Sequence, residues 1–462
     1  MNRPQSYDVL IIGAGLSGLA AGIRLAHFGK KVAILERHDR VGGLNSYYTM
    51  NGRELDVGLH AITNLNPNNG PFGAMKKVLR QLRLKAEDFD LHPHNKSLVT
   101  CHGTNLEFTN EFDYFVSQIN DTFPGERDNF QKLLKKMDSM NLFDYGSPAE
   151  SSREILGSTF GDPHLAEMLL LPAMFYGNSR EDDMEFRQFA ILFNSIFREG
   201  IGRPRNGIRP ILDVLVKRFT ESGGKLMLES GVMSIITENK KAVSVTLYDG
   251  RILHCDSILS SAGHPETIAL LAESGASKVP EQGRISFMES LSVLDRPTAE
   301  IGFEYGIVFY SLSEKLSYRR PDTPVDTSSG VICLPDNFAY PEPLDSRMVR
   351  ITNIADHRFW EKIDPMKNLP EKNEWYKRSL KDVSAILPDI SGKTVFTDIF
   401  TPRTIERYTG RFNGAVYGAP VKLWDGCTDI PNIFICGTDQ GFLGIVGSML
   451  SGISIANDRL LK

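Results

Sequence analysis

Between Tyr7 and Gly43 the chain reads YDVLIIGAGLSGLAAGIRLAHFGKKVAILERHDRVGG, and few folds accommodate such a run. Asp8–Ile12 is a short aliphatic stretch of the kind found in a strand covered on both faces. Gly13, Gly15 and Gly18 follow at GxGxxG spacing. Leu16, Leu19, Ala20, Ile23 and Ala26 then recur at helical period until Gly29 stops the helix. A second strand, Lys31–Leu35, ends at Glu36. Gly13 permits the tight turn, Gly15 lets backbone approach a pyrophosphate, and Gly18 lets the helix lie close on the strand. The helix N-terminus, with unpaired N–H groups and a partial positive charge, then faces the diphosphate. Glu36 stands where an acid accepts hydrogen bonds from both ribose hydroxyls. A GxGxxG alone is weak evidence. Set between a strand and a helix, with its acid in place, it predicts a dinucleotide site rather than a glycine-rich βαβ unit without a ligand.

Glu36-Arg37 followed by Gly42-Gly43 resembles the ERxxxxGG pattern of FAD enzymes of the amine oxidase and phytoene desaturase superfamily. There the paired glycines follow the ribose-binding acid and the chain runs back past the diphosphate, so the resemblance implies FAD rather than NAD. It assigns cofactor contacts to Gly13, Gly15, Leu16, Ser17, Gly18, Glu36, Arg37, Gly42, Gly43 and Leu44. Further on, a strand ending in Asp56-x-Gly58 resembles the superfamily's DxG element, whose glycine allows close approach to the flat isoalloxazine; Leu59 and His60 follow it onto the cofactor. Gly223-Gly224 with Val232 resembles the second FAD segment, GGxxxxxxxVxxI, in which the valine walls the adenine. Pro431–Asp439 reads as a buried strand running into a glycine loop, then a helix over Ser448–Leu460. In the family this piece closes the flavin site. Gly437 opens the loop, Asp439 approaches the ribityl or diphosphate region, and the N–H groups of Val446, Gly447 and Ser448 point at the pyrimidine edge. A positive helix end there stabilises the charge of reduced flavin.

The most discriminating stretch is Thr401–Gly410 with Gly414–Gly418. It resembles the TPxTxExxTGxxxGxxYG pattern of bacterial-type phytoene desaturases, carotenoid isomerases and retinol saturases. One departure is Leu44-Asn45 after the paired glycines. Many relatives carry Arg there, so the family's arginine near the diphosphate has no counterpart at that position. His60 is nearer the saturase-like DxGxH than the proline common in phytoene desaturases.

The expected fold class is α/β: a Rossmann-like FAD-binding domain with an inserted mixed-sheet substrate domain and a helical cap. The FAD-binding domain is expected over 1–71, 205–285 and 395–462, the helical cap over 72–204 and the substrate sheet over 286–394. Met75–Leu82 and Phe130–Met137 carry helical patterns in the cap, and apolar residues crowd Leu165–Phe197, as core or as the lining of a channel for a long hydrocarbon. Gly207–Phe219 reads as an amphipathic helix. Ala242–Tyr248 and Arg251–Cys255 read as a hairpin about a two-residue turn, Asp249-Gly250. In the substrate region Trp375–Leu387 reads as a helix.

A net charge of -5 argues against nucleic acid as the main partner. Five cysteines without a CxxC argue against a disulfide framework, a metal site or a redox dithiol, and for a reducing compartment. The polar N-terminus MNRPQSYD carries no signal-peptide pattern. The apolar run Met168–Tyr176 is far shorter than the roughly 20 residues of a spanning helix. The expected location is therefore cytoplasmic, with peripheral membrane contact through Lys76, Lys77, Arg80, Arg83 and Lys85 as an extension. The plainer reading of that cluster is a solvated helix face.

No second GxGxxG follows a strand, so no nicotinamide domain is expected; oxygen or a membrane quinone would exchange electrons with the flavin. The resemblance implies hydride exchange between flavin N5 and a C–C or C=C bond of a long apolar polyene or isoprenoid lipid, as desaturase, saturase or isomerase. Two alternatives stand beside it. One is a flavin amine oxidase-like enzyme with a polar substrate, although the segment before the last helix lacks the aromatic pair of amine oxidases. The other is a non-catalytic prenyl-binding protein such as the GDP-dissociation inhibitors, against which Glu36, Gly42 and Gly43 argue. No catalytic side chain is identified. His60, Arg205 and Tyr408 are candidates by motif proximity alone, and each has an ordinary structural role as its alternative.

Overall fold

The nucleotide unit forms β1 (Ser6–Ile12), α1 (Leu16–His27) and β2 (Val32–Leu35). These belong to a computed structural model that describes residues 6–65, 73–142, 148–271, 278–364 and 367–462. The N-terminal residues 1–5 and the boundary expected between 71 and 72 lie outside the described residues. β1 is central because both of its faces are covered. Val9 and Ile11 face α1, the helix Arg209–Glu221 and the C-terminal helix Gly444–Ile455. Leu10 and Ile12 face a meander that includes Ile235, Val245 and Leu253. The strand order is Lys225–Met227, β2, β1, Ile252–Ser260, Lys241–Leu247, Val232–Glu238, with Ile433–Ile435 also pairing parallel to Ile252–Ser260.

The meander corrects one expectation. Tyr248–Gly250 is a three-residue loop, in which the Leu247 N–H donates to the Arg251 carbonyl at 2.9 Å and only Gly250 has a positive φ, +83°. A two-residue type I′ turn needs positive φ at both central residues. That condition is met instead at Asn239-Lys240 (φ 48° and 61°), which join Val232–Glu238 to Lys241–Leu247.

A second sheet runs Thr394–Phe400, Ser286–Leu294, Met348–Ala355, Val325–Cys333, Ile307–Ser311, Ser97–Cys101, Thr104–Phe108. It is antiparallel except where Ile307–Ser311 meets Ser97–Cys101. The segment expected to be a helical cap therefore also supplies two strands of this sheet, joined through His102-Gly103, both at positive φ. Its helices Phe112–Thr122, Arg127–Ser139, Ser152–Thr159, Pro163–Gly177 and Phe186–Phe193 share one core with this sheet, in which Phe108, Phe115, Phe193, Phe197 and Phe309 meet. Pro163–Gly177 is apolar almost all round, and nearly every residue of it is buried, as expected of a helix enclosed by core. The helix read at Trp375–Leu387 spans Leu369–Val383, and the one read at Gly207–Phe219 spans Arg209–Glu221. Among the described residues no helix is long and apolar enough to cross a membrane.

Candidate functional site

A cavity of about 510 Å³ is walled by both halves of the chain. The nucleotide loop contributes Gly13, Gly15, Leu16 and Ser17. Gly13 turns at φ +96°, and a Cβ on Gly18 would fall 2.2 Å from the Gly13 carbonyl, so the helix packs where no side chain fits. A Cβ on Gly15 would meet nothing within 4 Å, since that face opens on the cavity. The paired glycines fold back onto this loop: the Gly42 N–H donates to the Ala14 carbonyl at 2.9 Å, and a Cβ on Gly43 would lie 3.6 Å from the Gly15 Cα. The Glu36 carboxylate, buried on the wall, accepts from the N–H of Ala14 (2.8 Å) and of His38 (2.9 Å). Gly231, Val232, Tyr248, Ala269 and Leu270 add a largely apolar wall.

A second part of the wall is Val57–Ala61, and two buried arginines hold it. Arg203 donates to the carbonyls of Leu59 (2.6 Å) and His60 (2.8 Å) and pairs with Asp56 at 2.6 Å. Arg350, fully buried, donates to the carbonyls of Val57 (2.6 Å) and Leu59 (3.1 Å) and through Nε to Glu289 at 2.6 Å. The His60 Nε2 lies 3.1 Å from the Thr352 hydroxyl and 3.7 Å from Glu289. Burial pushes the His60 imidazole below its ordinary pKa despite Glu289 beside it. Burial alone would raise Glu289, yet the Arg350 charge, and then His60, hold it below the usual carboxylate range. His60, Glu289 and Thr352 face the cavity together with Phe175, Tyr176, Leu192, Phe287, Val331, Val416 and Tyr417, which form an aromatic and aliphatic chamber.

Of the residues expected at the cofactor, Gly13, Gly15, Leu16, Ser17, Glu36, Arg37, Gly42, Gly43, Leu44, Gly58, His60, Val232, Gly437 and Ser448 are on the wall. Gly18 and Leu59 stand behind it, the first as a spacer and the second with its carbonyl held by both arginines. Asp439 is also behind the wall. It is fully buried, and its carboxylate accepts from Ala419 N–H (2.9 Å), His264 N–H (2.6 Å) and Arg411 (3.2 Å). The neighbouring Thr438 takes the wall position and accepts from Arg411 at 2.9 Å. The last helix starts at Gly444 rather than Ser448. Gly444, Ile445 and Ser448 thus share the face toward the cavity, which turns Val446 and Gly447 away. Arg205 and Tyr408 lie off the wall. Arg205 donates to the Glu342 carbonyl and sits over the Tyr340 ring, and Tyr408 is half exposed against His38. Glu289, Thr352, Arg203 and Arg350 were invisible to motif reading, because each stands on a strand with no pattern of its own.

The residues present fit a flavin dinucleotide: an open glycine cradle at a helix N-terminus, a buried acid beside it, and a second helix start across the cavity. The sequence profile of the flavin containing amine oxidoreductases matches residues 16–458, and the chain belongs to that family. It is an FAD-dependent oxidoreductase. Among relatives, a chloroplastic prolycopene isomerase of an Oncidium hybrid cultivar is 23% identical over 522 aligned positions, spanning 99% of this chain and 84% of that protein. The human all-trans-retinol 13,14-reductase is 24% identical, over 99% of this chain and 86% of that one. A putrescine oxidase variant shares the fold with a TM-score of 0.67 at 17% identity, over 99% of each chain.

Proposed function

We propose that this enzyme exchanges hydride between FAD and a carbon–carbon bond of a long apolar polyene or isoprenoid lipid, as a desaturase, saturase or isomerase. The observation that carries the reading is the chamber itself. Phe175, Leu192, Phe287, Val331, Val416 and Tyr417 continue the wall that begins at the flavin glycines. An apolar substrate gains there by leaving water. The Glu289 carboxylate on the chamber wall is already paired with Arg350 and so offers no free anion to an ammonium group. The names of the isomerase and reductase relatives agree with a polyene.

In this reading the nucleotide loop, Glu36, the paired glycines and the start of the last helix hold FAD. Bound there, it supplies a two-electron acceptor and donor at one ring atom. The chamber residues orient the chain of the substrate and exclude water. Arg203 and Arg350 keep the Val57–Ala61 backbone in place. We also propose that the exposed basic residues around helix Ala74–Leu82 meet an anionic bilayer from which substrate is drawn; sedimentation with anionic vesicles that ignores salt would remove that part.

The test is anaerobic. Purified enzyme loaded with FAD is mixed with conjugated isoprenoids and, separately, with putrescine, and the flavin absorbance is followed while co-purifying lipid is identified by mass spectrometry. Flavin reduction, reoxidation or product formation with an isoprenoid is the expected result. Reduction by putrescine, with every isoprenoid silent, would overturn the proposal.

A further inference from the structure

The titratable side chains at the apolar end of the cavity are, among the described residues, His60, Tyr176, Glu289 and Tyr417. Burial raises both phenols, and the Tyr417 hydroxyl is spent on the Phe175 carbonyl. The Arg350 charge holds Glu289 as a carboxylate. That leaves the His60 imidazole, a group that takes up and returns a proton near neutral pH. Its polar contacts, the Thr352 hydroxyl at 3.1 Å and Glu289 at 3.7 Å, are both made by Nε2. Nδ1, on the other side of the ring, bonds no described residue and is not enclosed, and the side chain keeps 13% of its surface accessible where it lines the cavity. The backbone beneath is fixed, since the His60 carbonyl accepts from Arg203 at 2.8 Å and from the Cys333 thiol at 3.7 Å.

We infer that His60 is the acid–base residue of the reaction, exchanging a proton through Nδ1 with the substrate carbon next to the one that exchanges hydride. This rests on the polyene reading and adds to it the fate of the proton. In the desaturating direction a hydride leaves one carbon for the flavin. The C–H electron pair of the neighbouring carbon becomes the new π bond, and its proton goes to Nδ1; saturation runs the same atoms back. Glu289 faces Nε2 and steadies the positive charge the ring then carries. Burial lowers the His60 pKa, Glu289 opposes that, and the charges of Arg350 and Arg203 add to it. The other groups packed against the ring, the Tyr176 phenol and the Cys333 thiol, are both raised and stay neutral. The free ring is therefore neutral at pH 7 and ready as a base.

The experiment uses FAD-loaded wild type, His60→Gln and His60→Ala. Phytoene is the probe for flavin reduction and all-trans-retinol for reoxidation, replaced by any other isoprenoid to which wild type responds in the anaerobic screen. His60→Gln is expected to slow the flavin step by about 100-fold or more, the low end of what a general acid or base contributes, with Kd for FAD and probe within about threefold of wild type. In wild type the reduction rate should fall below pH of about 6.5 and the reoxidation rate should rise there, and both slopes should vanish in His60→Gln. Added imidazole should restore His60→Ala. Independently of turnover, diethyl pyrocarbonate should label His60 in lipid-free protein, seen by peptide mass, and bound probe should protect it. A His60→Gln rate within about tenfold of wild type, an unchanged pH profile, or a His60 that is unlabelled or unprotected would overturn the inference and leave the polyene reading standing. So would loss of FAD by both variants, which would make the histidine structural. If no isoprenoid binds or reacts with wild type, the polyene reading fails and takes this inference with it.

Discussion

Arg350 offers the sharpest test of how the chamber is held together. Its side chain is fully buried and binds the Glu289 carboxylate and the carbonyls of Val57 and Leu59. Replacing it with Met keeps most of the volume and removes the charge. Glu289 is then a buried carboxylate without its counter-ion, at a cost of about 3–5 kcal/mol. The Val57 carbonyl loses its side-chain donor, adding about 1–3 kcal/mol; Leu59 keeps Arg203. The sum is about 4–8 kcal/mol at neutral pH. The sign of the pH dependence follows from the same pair. In wild type Glu289 is depressed below its unfolded value, so its stabilisation is present above pH of about 4.3 and is lost as pH falls through the folded value. In Arg350→Met burial acts on Glu289 with the arginine gone, so the carboxyl protonates readily and the gap to wild type narrows toward pH 4. Glu289→Gln should therefore destabilise wild type yet stabilise Arg350→Met. The assay is urea unfolding of cofactor-depleted protein, followed by tryptophan fluorescence, on the four members of this cycle at pH 7.5 and 5. A single variant within about 1 kcal/mol of wild type, or a Glu289→Gln effect of the same sign and size in both backgrounds, would refute the argument.

Three further outcomes are expected. Gly18→Ala places a methyl 2.2 Å from the Gly13 carbonyl and forces the first helix off the loop, whereas Gly15→Ala projects into open space. Both should lose FAD, but only Gly18→Ala should also lower the Tm of cofactor-free protein, as flavin release and calorimetry would show. Glu36→Ala removes a charged acceptor and should raise the Kd for FAD by roughly 10–150-fold, the range of about 1.5–3 kcal/mol for such bonds, measured by flavin fluorescence. Because burial depresses the His60 imidazole, its contribution to stability is present above pH of about 6.5 and falls away below that as the unfolded histidine takes up a proton. His60→Gln should flatten that part of the stability–pH curve between pH 7.5 and 5.5, and an unchanged slope would dismiss the assignment.

The nucleotide half was legible because its signals are local. A strand, three glycines, a helix and an acid follow within one βαβ unit, and each glycine does a task readable from its spacing. Legibility faded where contacts span the chain. Glu289, Thr352 and Tyr176 come from two strands and a helix far apart in sequence, and nothing in ESL, ITN or FYG announces that they meet. Short strands escaped for a related reason: Ser97–Cys101 and Thr104–Phe108 are five residues each and gain their place only by pairing with Ile307–Ser311. The miss at Asp439 was one of phase. The motif position was legible, but which of Thr438 and Asp439 faces the cavity depends on the Ala419 and His264 amides that claim the carboxylate.

The placement of charge explains why motif and chamber are joined as they are. Two buried ionic groups flank the cavity: Asp56, Arg203, Glu289 and Arg350 on one side, and Glu266, Arg411 and Asp439 on the other. Arg203 and Arg350 spend their donors on backbone carbonyls of Val57–His60 as well as on carboxylates, and Asp439 accepts from the amides of Ala419 and His264. A lone buried charge beside an apolar substrate would be costly. Paired in this way, Asp56, Arg203, Glu289 and Arg350 fix the Val57–His60 loop while their formal charges cancel beside the chamber. Breaking either group should thus disturb cofactor retention before it alters preference among apolar substrates.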